Sequence, residues 1–341
     1  MKVLLVKLSS LGDVVHTLPV VQDILAALPD AQIDWVVEQS FAALLSRAHG
    51  LGRVIPCEIR RWRKAPLAAA TRAAWRAFRA DLQCDRYDAI IDLQGLTKSA
   101  VVARLARLSA GGKRYAMANQ TDGSGYEAPT RWVADVAIGM APHSHAVQRA
   151  RDLAAQALGY RVPETLNYGL KVPAAQPLRL HDAIESIANK NSVMLVHGTS
   201  RADKEWPLAH WVALGQRLLA AGYSLALAHG STQEQATSQA IAAALNSDKV
   251  RVLPLMGLDA LADALAQCVG VVGVDSGVSH MAVALGAAHV QLYNFATAWR
   301  TGPVASDNAP KGTRQVSVFA QPTPSVQAVA QAWLGCTGVR L

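Results

Sequence analysis

The chain has 341 residues, of which 51% are hydrophobic and 17% are charged, so its composition excludes a disordered protein and favours about two globular domains. No apolar run approaches the ~20 residues that a membrane-spanning helix needs. The 33 basic and 25 acidic residues give a formal charge of +8, which indicates anionic partners such as nucleic acid, a membrane surface or a charged substrate.

The amino-terminal segment and the cysteines both bear on the compartment. Residues 1–7 have too short an apolar part for a signal peptide and no small-residue cleavage site follows, so we expect them to form the first strand. The four cysteines are scattered without metal-ligand spacing, as expected for reduced thiols. The sequence therefore predicts a cytoplasmic protein without a metal centre.

Strands and helices alternate through the first half of the chain. Apolar runs predict strands at 3–8, 33–37, 54–56 and 87–93, and helical spacing predicts helices at 14–28, 66–83, 97–108 and 145–158. Between residues 111 and 144 the pattern gives way to Gly, polar and aromatic residues, and no element is predicted. The alternation indicates a parallel, doubly wound sheet.

The alternation stops at residues 161–182, which contain three prolines, and then starts again. The second half predicts strands at 193–196, 224–228, 250–253, 269–274 and 289–293, and helices at 208–220, 233–245, 258–267 and 281–286. We therefore expect an α/β protein in which two Rossmann-like domains, 1–165 and 183–320, face each other across a cleft. A linker at 166–182 joins them, and segment 321–341 is expected to pack back toward the N-terminal domain.

The most informative stretch is residues 275–280 (Asp-Ser-Gly-Val-Ser-His), which follows a predicted strand and precedes a helix. Ser276 or Ser279 can cap that helix, and Gly277 lets the backbone approach a ligand. The first amides of a helix suit a phosphate, and an acid at the end of a strand lies where open α/β sheets bind ligands. The competing interpretation is a capped loop with a solvated Asp275.

The first strand-to-helix loop, residues 7–19, contains a single glycine, Gly12. It therefore lacks the Gly-x-Gly-x-x-Gly fingerprint of a dinucleotide site. It places Asp13 at the start of a helix facing the expected cleft, where a carboxylate can act as a general base. The alternative is that Asp13 only caps the helix.

Residues 59–64 (Ile-Arg-Arg-Trp-Arg-Lys), the basic cluster, concentrate four cations around one aromatic ring. A solvated charge run is one interpretation, and nucleic-acid binding is another. The other cations do not extend this patch into a stripe, although Lys98, beyond the strand at 87–93, can join it. A compact pocket of this kind favours a small polyanion over a nucleic acid.

Two loops of the second half carry groups that suit a nucleotide. Residues 197–207 place the hydroxyls of Thr199 and Ser200, together with Lys204, before a helix that starts at a proline, which predicts a phosphate clamp. Residues 229–234 place Glu234 just after a strand end, where an acid can accept hydrogen bonds from ribose hydroxyls.

In chain order, these motifs resemble those of the lipopolysaccharide heptosyltransferases, glycosyltransferase family 9. The resemblance rests on Lys-x-Ser-Ser-x-Gly-Asp-Val-x-His-Thr-Leu-Pro at 7–19, the basic cluster, Asp-x-Gln-Gly-Leu-x-Lys-Ser at 92–99, Lys-x-Trp-Pro at 204–207 and Asp-Ser-Gly-x-Ser-His at 275–280. It extends over residues 1 to about 293. The first and last motifs are specific to the family, and the basic cluster favours the members that add the first heptose.

The resemblance implies a GT-B fold and inverting, metal-independent transfer of L-glycero-D-manno-heptose. The donor is ADP-heptose, no further cofactor is implied, and the acceptor is Kdo-lipid A at the cytoplasmic face of the anionic inner membrane. Asp13 then corresponds to the general base and Lys204 to a group that stabilises the leaving diphosphate. The other donor-side positions are Thr199, Ser200, Glu234 (ribose), Met256 (adenine), Asp275, Ser276, Gly277 and His280. The acceptor-side positions are Ser10, Arg60, Arg61, Arg63, Lys64, Lys98 and Glu127.

The sequence departs from the family pattern at two places. Tyr126-Glu127 stands where the family has Arg-Glu, and residues 293–297 (Tyr-Asn-Phe-Ala-Thr) replace a Tyr-Gly-Pro-Thr-like turn. Within the family, the alternative is an enzyme that extends the heptose chain or uses ADP-heptose otherwise. A nicotinamide-dependent oxidoreductase is disfavoured by the missing glycine fingerprint. A non-catalytic binder of anionic glycolipid would need the basic cluster but neither Asp13 nor Lys204.

Overall fold

The computed structural model describes residues 1–171, 191–307 and 314–341, and the chain forms two compact units, Met1–Lys171 and Val172–Leu341. Each unit contains a six-stranded sheet whose strands are joined by helices. The α/β class with two Rossmann-like domains is therefore confirmed. Most of the predicted linker, at 172–182, and the predicted start of the second domain, at 183–190, lie outside the described residues.

The first unit contains six parallel strands. They are β1 (Lys2–Val6), β2 (Gln32–Glu38), β3 (Leu51–Cys57), β4 (Arg86–Asp92), β5 (Arg107–Met117) and β6 (Val136–Ile138), in the order β3-β2-β1-β4-β5-β6. The helices are α1 (Leu11–Ala27), α2 (Gln39–Leu45), α3 (Ile59–Trp62), α4 (Ala69–Leu82), α5 (Thr97–Leu105), α6 (Pro129–Val133) and α7 (Ala146–Leu158). The central strands are continuous apolar runs because a parallel sheet is covered on both faces.

Strands β5 and β6 occupy the stretch in which the sequence pattern predicts no element. Most residues of β5 are at least partly exposed, so the strand has no clear apolar run, and β6 has only three residues. The pairing of β4 with β5 also shifts register between Tyr87 and Ala89. At that shift Gly112 lies so close that an added Cβ would be 2.6 Å from the Tyr87 carbonyl oxygen. Such an irregularity, typical of a strand glycine, removes the period that a sequence pattern relies on.

The second unit repeats the topology of the first. Its strands are β7 (Ser192–Val196), β8 (Ser224–Leu227), β9 (Val250–Val252), β10 (Gly270–Val274), β11 (His289–Tyr293) and β12 (Gln315–Phe319), all parallel in the order β12-β11-β10-β7-β8-β9. Its helices are α8 (Leu208–Ala220), α9 (Thr232–Leu245), α10 (Leu258–Gln267), α11 (Gly277–Ala284), α12 (Ala298–Thr301) and α13 (Val326–Thr337).

Strand β12 and helix α13 extend the second unit beyond the predicted elements. Helix α13 buries Val329, Trp333 and Cys336 in the same apolar core as the strands of that unit. The apolar face of segment 321–341 is thus accounted for within the second unit, and its packing toward the first unit stays a prediction. Across the described ranges, no helix is both long enough and apolar enough to cross a membrane.

Strand order determines where each unit can bind a ligand. In the first unit β1 lies next to β4, and in the second β7 lies next to β10, so the chain changes direction across the sheet between these strands. In an open α/β sheet, ligands bind in the crevice beyond the carboxyl ends of the strands at this switch point. The loops at 7–10 and 93–96 meet this description in the first unit, and those at 197–207 and 275–276 meet it in the second.

Candidate functional site

The carboxyl ends of β1 and β4 bring two loops of the first unit into contact. Lys7, directly after β1, donates from Nζ to the carbonyl oxygen of Leu93 at 2.9 Å. The side-chain oxygen of Gln94 accepts from two backbone N–H groups of the first loop, at 3.1 Å each. These bonds fix the loop that leads into α1 and Asp13.

Asp13 lies in the first turn of α1, and its side chain is 37% exposed. Its Oδ2 accepts from the backbone N–H and the hydroxyl of Ser10, both at 2.9 Å, and its Oδ1 is 3.8 Å from Lys7 Nζ. Burial raises the pKa of Asp13, but the charge of Lys7, the Ser10 donors and the charge of Arg149 together hold it below its ordinary value. Asp13 therefore takes part in capping the helix and is also an ionised, accessible carboxylate, and its role as a general base stays a prediction.

Lys7 and Arg149 are site residues that sequence reasoning misses. Lys7 is 5% exposed, and burial lowers its pKa although the charge of Asp13 opposes that shift. Arg149 on α7 is 8% exposed and donates from Nη1 to Thr121 Oγ1 at 2.8 Å. The sequence feature that could have indicated Lys7 is its position at the start of the first motif. Arg149 lies in a predicted helix and belongs to no motif, so nothing in the sequence indicated it.

Asp92 ends β4 and is 1% exposed. Its Oδ1 accepts from the backbone N–H groups of Gln94 and Gly95, at 2.9 and 3.2 Å, and its Oδ2 accepts from the Ser99 hydroxyl at 3.0 Å. Burial raises the pKa of Asp92 to about 6, although these donors and the charge of Lys7 act in the opposite direction. Asp92 thus shapes the loop that carries Gln94.

The predicted acceptor-side cations lie on one side of the first unit. Arg60, Arg61, Arg63 and Lys64 are exposed at and after α3, and half-buried Lys98 donates from Nζ to Ser9 Oγ at 2.8 Å. Burial and the charges of Arg60 and Arg63 lower the pKa of Lys98, which indicates that the three cations are close enough to interact electrostatically.

The aromatic ring of the basic cluster is largely buried while its cations are exposed. Trp62 does not stand among the cations at the surface: it is 7% exposed and packs against Trp75 and Phe78, with ring centroids 5.4 and 5.5 Å away. The physical reason is helical geometry, because α3 points one apolar side into the core and leaves its arginines in solvent.

Glu127 and Tyr126 use their polar groups within the first unit. Glu127 Oε2 accepts from the backbone N–H of Thr97, the first residue of α5, at 2.7 Å, and this contact lowers its pKa. Tyr126 donates its hydroxyl to the Ala118 carbonyl oxygen at 2.8 Å. Exposed Glu127 thus contacts the amino end of α5 at Thr97, the residue that precedes Lys98.

Asp275 is the hub of the second unit's site. It follows β10 and is 5% exposed, with Lys204 Nζ 2.5 Å from its Oδ2 and His280 Nε2 3.4 Å from its Oδ1. Thr199 donates its hydroxyl to the Asp275 carbonyl oxygen at 3.3 Å. Burial raises the pKa of Asp275, but the contacts with His280 and Lys204 outweigh that effect and lower it to about 2. Three other predicted donor-side residues, Thr199, Lys204 and His280, are therefore brought together around Asp275.

The start of α11 has the predicted local structure. Ser276 is the N-cap and accepts from the Ser279 N–H at 3.4 Å, and Ser279 donates its own hydroxyl to the Val274 carbonyl oxygen at 2.6 Å. Gly277 is the first residue of the helix. The amino end of α11 is thus held directly beside Asp275.

Glu234 links two loops of the second unit. It lies in the first turn of α9, and its Oε2 accepts from the Gly230 N–H at 2.6 Å. A Cβ added to Gly198 would lie 2.5 Å from its carboxyl carbon, so the two loops meet there. Ser200, two residues after Gly198, is exposed, and Met256 lies half-buried in the loop after β9.

Asn294 explains how the departure at residues 293–297 is accommodated. Its side-chain amide donates to the carbonyl oxygens of Asp203 and Glu205, both at 2.9 Å, on either side of Lys204. Its Oδ1 accepts from the Thr323 hydroxyl at 2.8 Å. This turn therefore supports the lysine loop, a role that the sequence pattern did not indicate. Among the described residues, no three His, Cys, Asp or Glu side chains gather as a metal site requires.

Comparison with known proteins shows the family to which the chain belongs. The family model for glycosyltransferase family 9 (heptosyltransferase) matches residues 75–326. The lipopolysaccharide heptosyltransferase 1 of Escherichia coli strain K12 is 40% identical over 295 residues, covering 86% of this chain and 88% of that protein. The chain belongs to glycosyltransferase family 9.

Solved structures agree with this family 9 membership. The E. coli heptosyltransferase WaaC with ADP matches with a TM-score of 0.81 at 34% identity, and the same enzyme with ADP-2-deoxy-2-fluoro heptose matches with 0.76 at 35%. Each match covers 97% of this chain and 98% of the other. The GT-B fold is thereby confirmed, the chain is a glycosyltransferase, and its relatives support the activity of a heptosyltransferase I.

Proposed function

We propose that the chain transfers L-glycero-D-manno-heptose from ADP-heptose to the Kdo region of Kdo-lipid A, with inversion at the anomeric carbon and without a metal. The observation that carries this proposal is the pair of ionised carboxylates at equivalent edges of the two sheets. The Asp13 side chain is 37% exposed and lies 3.8 Å from buried Lys7, whereas Asp275 is buried and holds Lys204.

The first unit supplies the base and the acceptor site. The acceptor hydroxyl oxygen attacks the anomeric carbon as its proton passes to Asp13, a step typically worth ~10²–10⁴-fold in rate. Asp13 is ionised at neutral pH because its pKa lies below the ordinary value, so the base form predominates there. The acceptor's carboxylates and phosphates interact with Arg60, Arg61, Arg63, Lys64 and Lys98, with Ser10 and Glu127 nearby.

The second unit supplies the donor site. As the bond between the anomeric carbon and the diphosphate breaks, its electron pair and negative charge pass to ADP. Lys204, the hydroxyls of Thr199 and Ser200, and the amino end of α11 at Ser276 and Gly277 stabilise that charge. Asp275 and His280 position the Lys204 ammonium group, while Glu234 contacts the ribose and Met256 the adenine.

The exposed cations also support peripheral binding at the cytoplasmic face of an anionic membrane. The acceptor is a lipid in that membrane, and no cofactor beyond the donor and no nucleic acid take part. Sedimentation with anionic vesicles, weakened by salt, is the measurement that checks this attachment.

An ADP-release assay with two acceptors tests the proposal. We expect turnover with ADP-heptose and Kdo-lipid A, unchanged by EDTA, and little turnover when the acceptor already bears one heptose. Turnover only with the second acceptor identifies an enzyme that extends the heptose chain. If neither acceptor gives ADP release, a non-catalytic glycolipid binder is favoured. Loss of activity with EDTA refutes metal independence.

A further inference from the structure

An apolar cavity of about 580 Å³ lies beside the basic cluster in the first unit. Its apolar wall includes Ile59 and Trp62 of α3, Pro66 of the following loop and Trp75 of α4. This volume lies within the ~300–1,000 Å³ of sites that bind small molecules. None of the proposed donor-side residues lines the cavity.

Trp62 and Trp75, which line the cavity, are held in place by packing against the core. The rings of Trp62 and Trp75 meet edge to face with centroids 5.4 Å apart, and both pack against Phe78 in the core. Trp62 is 7% exposed, and in the described part of the chain its indole N–H has no hydrogen-bond partner. The aromatic packing, rather than this buried donor, supplies the apolar wall of the cavity.

Cations surround this apolar wall. Arg63, Arg72 and Arg76 also line the cavity, and within the described ranges none of the three forms an ion pair with a carboxylate. Arg72 donates from Nη1 to the Leu67 carbonyl oxygen at 2.9 Å, which holds the loop against α4, and the side chain of Leu67 is left 81% exposed. An apolar hollow with unpaired guanidinium groups is complementary to a molecule with both an apolar chain and negative charge.

We propose that this cavity binds an acyl chain of the anionic lipid acceptor while the basic cluster holds its charged head. The proposal rests on the proposed function, because it names a second part of the same acceptor. The argument for this occupant is continuity: Arg63 belongs both to the basic cluster and to the cavity wall. One amphipathic anion can therefore occupy the cavity and meet the neighbouring cations at once.

Two matched variants of α4 test the cavity. Thr71, half-buried, lines it, so Thr71→Phe narrows it, and the smaller Thr71→Leu narrows it less. Ala73 lies two residues further along the same helix, is exposed and does not line the cavity, so Ala73→Phe is the control. The KM for acylated Kdo-lipid A is compared with the KM for the same acceptor after deacylation.

We expect the wild type and Ala73→Phe to have a KM about tenfold lower for the acylated acceptor, the effect of burying about two methylene groups. Thr71→Phe should abolish this preference and Thr71→Leu should reduce it, with KM for the deacylated acceptor unchanged. If the preference survives in Thr71→Phe, or falls equally in Ala73→Phe, the proposal is wrong.

A binding measurement separates this proposal from the proposed function. Dibromostearate, an anionic acyl chain that quenches tryptophan, should quench the wild type and Ala73→Phe saturably and Thr71→Phe much less. If no acceptor is glycosylated, the proposed function fails and this quenching still decides whether the cavity takes an acyl chain. If Thr71→Phe only weakens sedimentation with phosphatidylglycerol vesicles and leaves the acceptor preference intact, the occupant is a membrane lipid and the proposal is overturned.

Discussion

Asp92 is the last residue of β4 and Asp275 directly follows β10, so both lie at the carboxyl end of corresponding strands beside the switch point. Both are at least 95% buried, at 1% and 5% exposure. Asp92 is surrounded by backbone N–H groups and a hydroxyl, and its pKa rises to about 6, whereas Asp275 faces Lys204 and His280 and its pKa falls to about 2. The comparison shows that one fold position can yield a carboxylate that shapes a loop or one that fixes a cation.

The same comparison separates Asp92 from Asp13 within the first unit. Asp92 is enclosed by its own loop, whereas the Asp13 side chain is 37% exposed and held ionised by Lys7 and Ser10. A general base must reach the proton that it removes, so the greater accessibility of Asp13 supports the base role proposed for it.

The largest effect is expected for Asp13→Ala. Loss of the base should reduce kcat by about 10²–10⁴-fold. ADP-heptose affinity, measured by calorimetry, should stay close to that of the wild type because the proposed donor groups lie in the second unit. Asp92→Asn is the matched control and should retain most of the wild-type kcat. Near-normal turnover of Asp13→Ala would remove the general-base assignment.

The second largest effect is expected for Lys204→Ala. The cation meets a charge that grows as ADP leaves, so kcat should fall by about 10²–10³-fold and donor binding should weaken as well. Asp275→Asn, which keeps the cation but loosens it, should have a smaller effect in the same direction. A change confined to the KM of the acceptor would show that Lys204 does not serve the donor.

The third prediction concerns stability and pH. Between pH ~4 and pH ~6 folded Asp92 holds a proton that the unfolded chain has lost, so the free energy of unfolding falls as pH rises through this window. Asp92→Asn, whose amide can replace the protonated acid, should be more stable than the wild type at pH 7, by about 2–3 kcal/mol at most. Urea unfolding at pH 4 and pH 7 measures this difference.

The advantage of Asp92→Asn should shrink at pH 4, where the wild-type Asp92 is already protonated. Asp275 has the opposite sign: its lowered pKa gives stability above pH ~4 that is lost as pH falls toward about 2. An Asp92→Asn advantage that is equal at both pH values would mean that Asp92 is not the titrating group.

The smallest effect is expected at the basic cluster. Replacing Arg60, Arg63 and Lys64 together with Ser should raise the KM for Kdo-lipid A severalfold and leave the donor KM and the melting temperature unchanged, because exposed charges add little stability. Rising salt should imitate the substitutions in the wild type and do less in the variant. If acceptor kinetics are unaltered in both tests, the basic cluster is a solvated charged surface that does not bind the acceptor.

The sequence predicts the parts of the fold that repeat locally. It gives the two α/β units, the capped helix at Ser276 and the position of Asp13 at a helix start, because each depends on neighbouring residues. The contacts that define the site join distant positions: Lys7 meets Leu93 across 86 residues, and Lys204 meets Asp275 across 71. No local pattern contains these pairs, so the burial of Lys7 and the role of Asp92 could not be foreseen.

The central claim is that folding gives three aspartates three different environments, two of them suited to catalysis. Carboxyl ¹³C NMR titration of the nucleotide-free protein, labelled at aspartate and assigned with Asp13→Asn, Asp92→Asn and Asp275→Asn, tests this claim most directly. We expect Asp92 to titrate near pH 6, Asp275 near pH 2 and Asp13 below the ordinary value of ~3.9. Ionisation of Asp92 below pH 4, together with protonation of Asp13 or Asp275 above pH 5, would contradict the account.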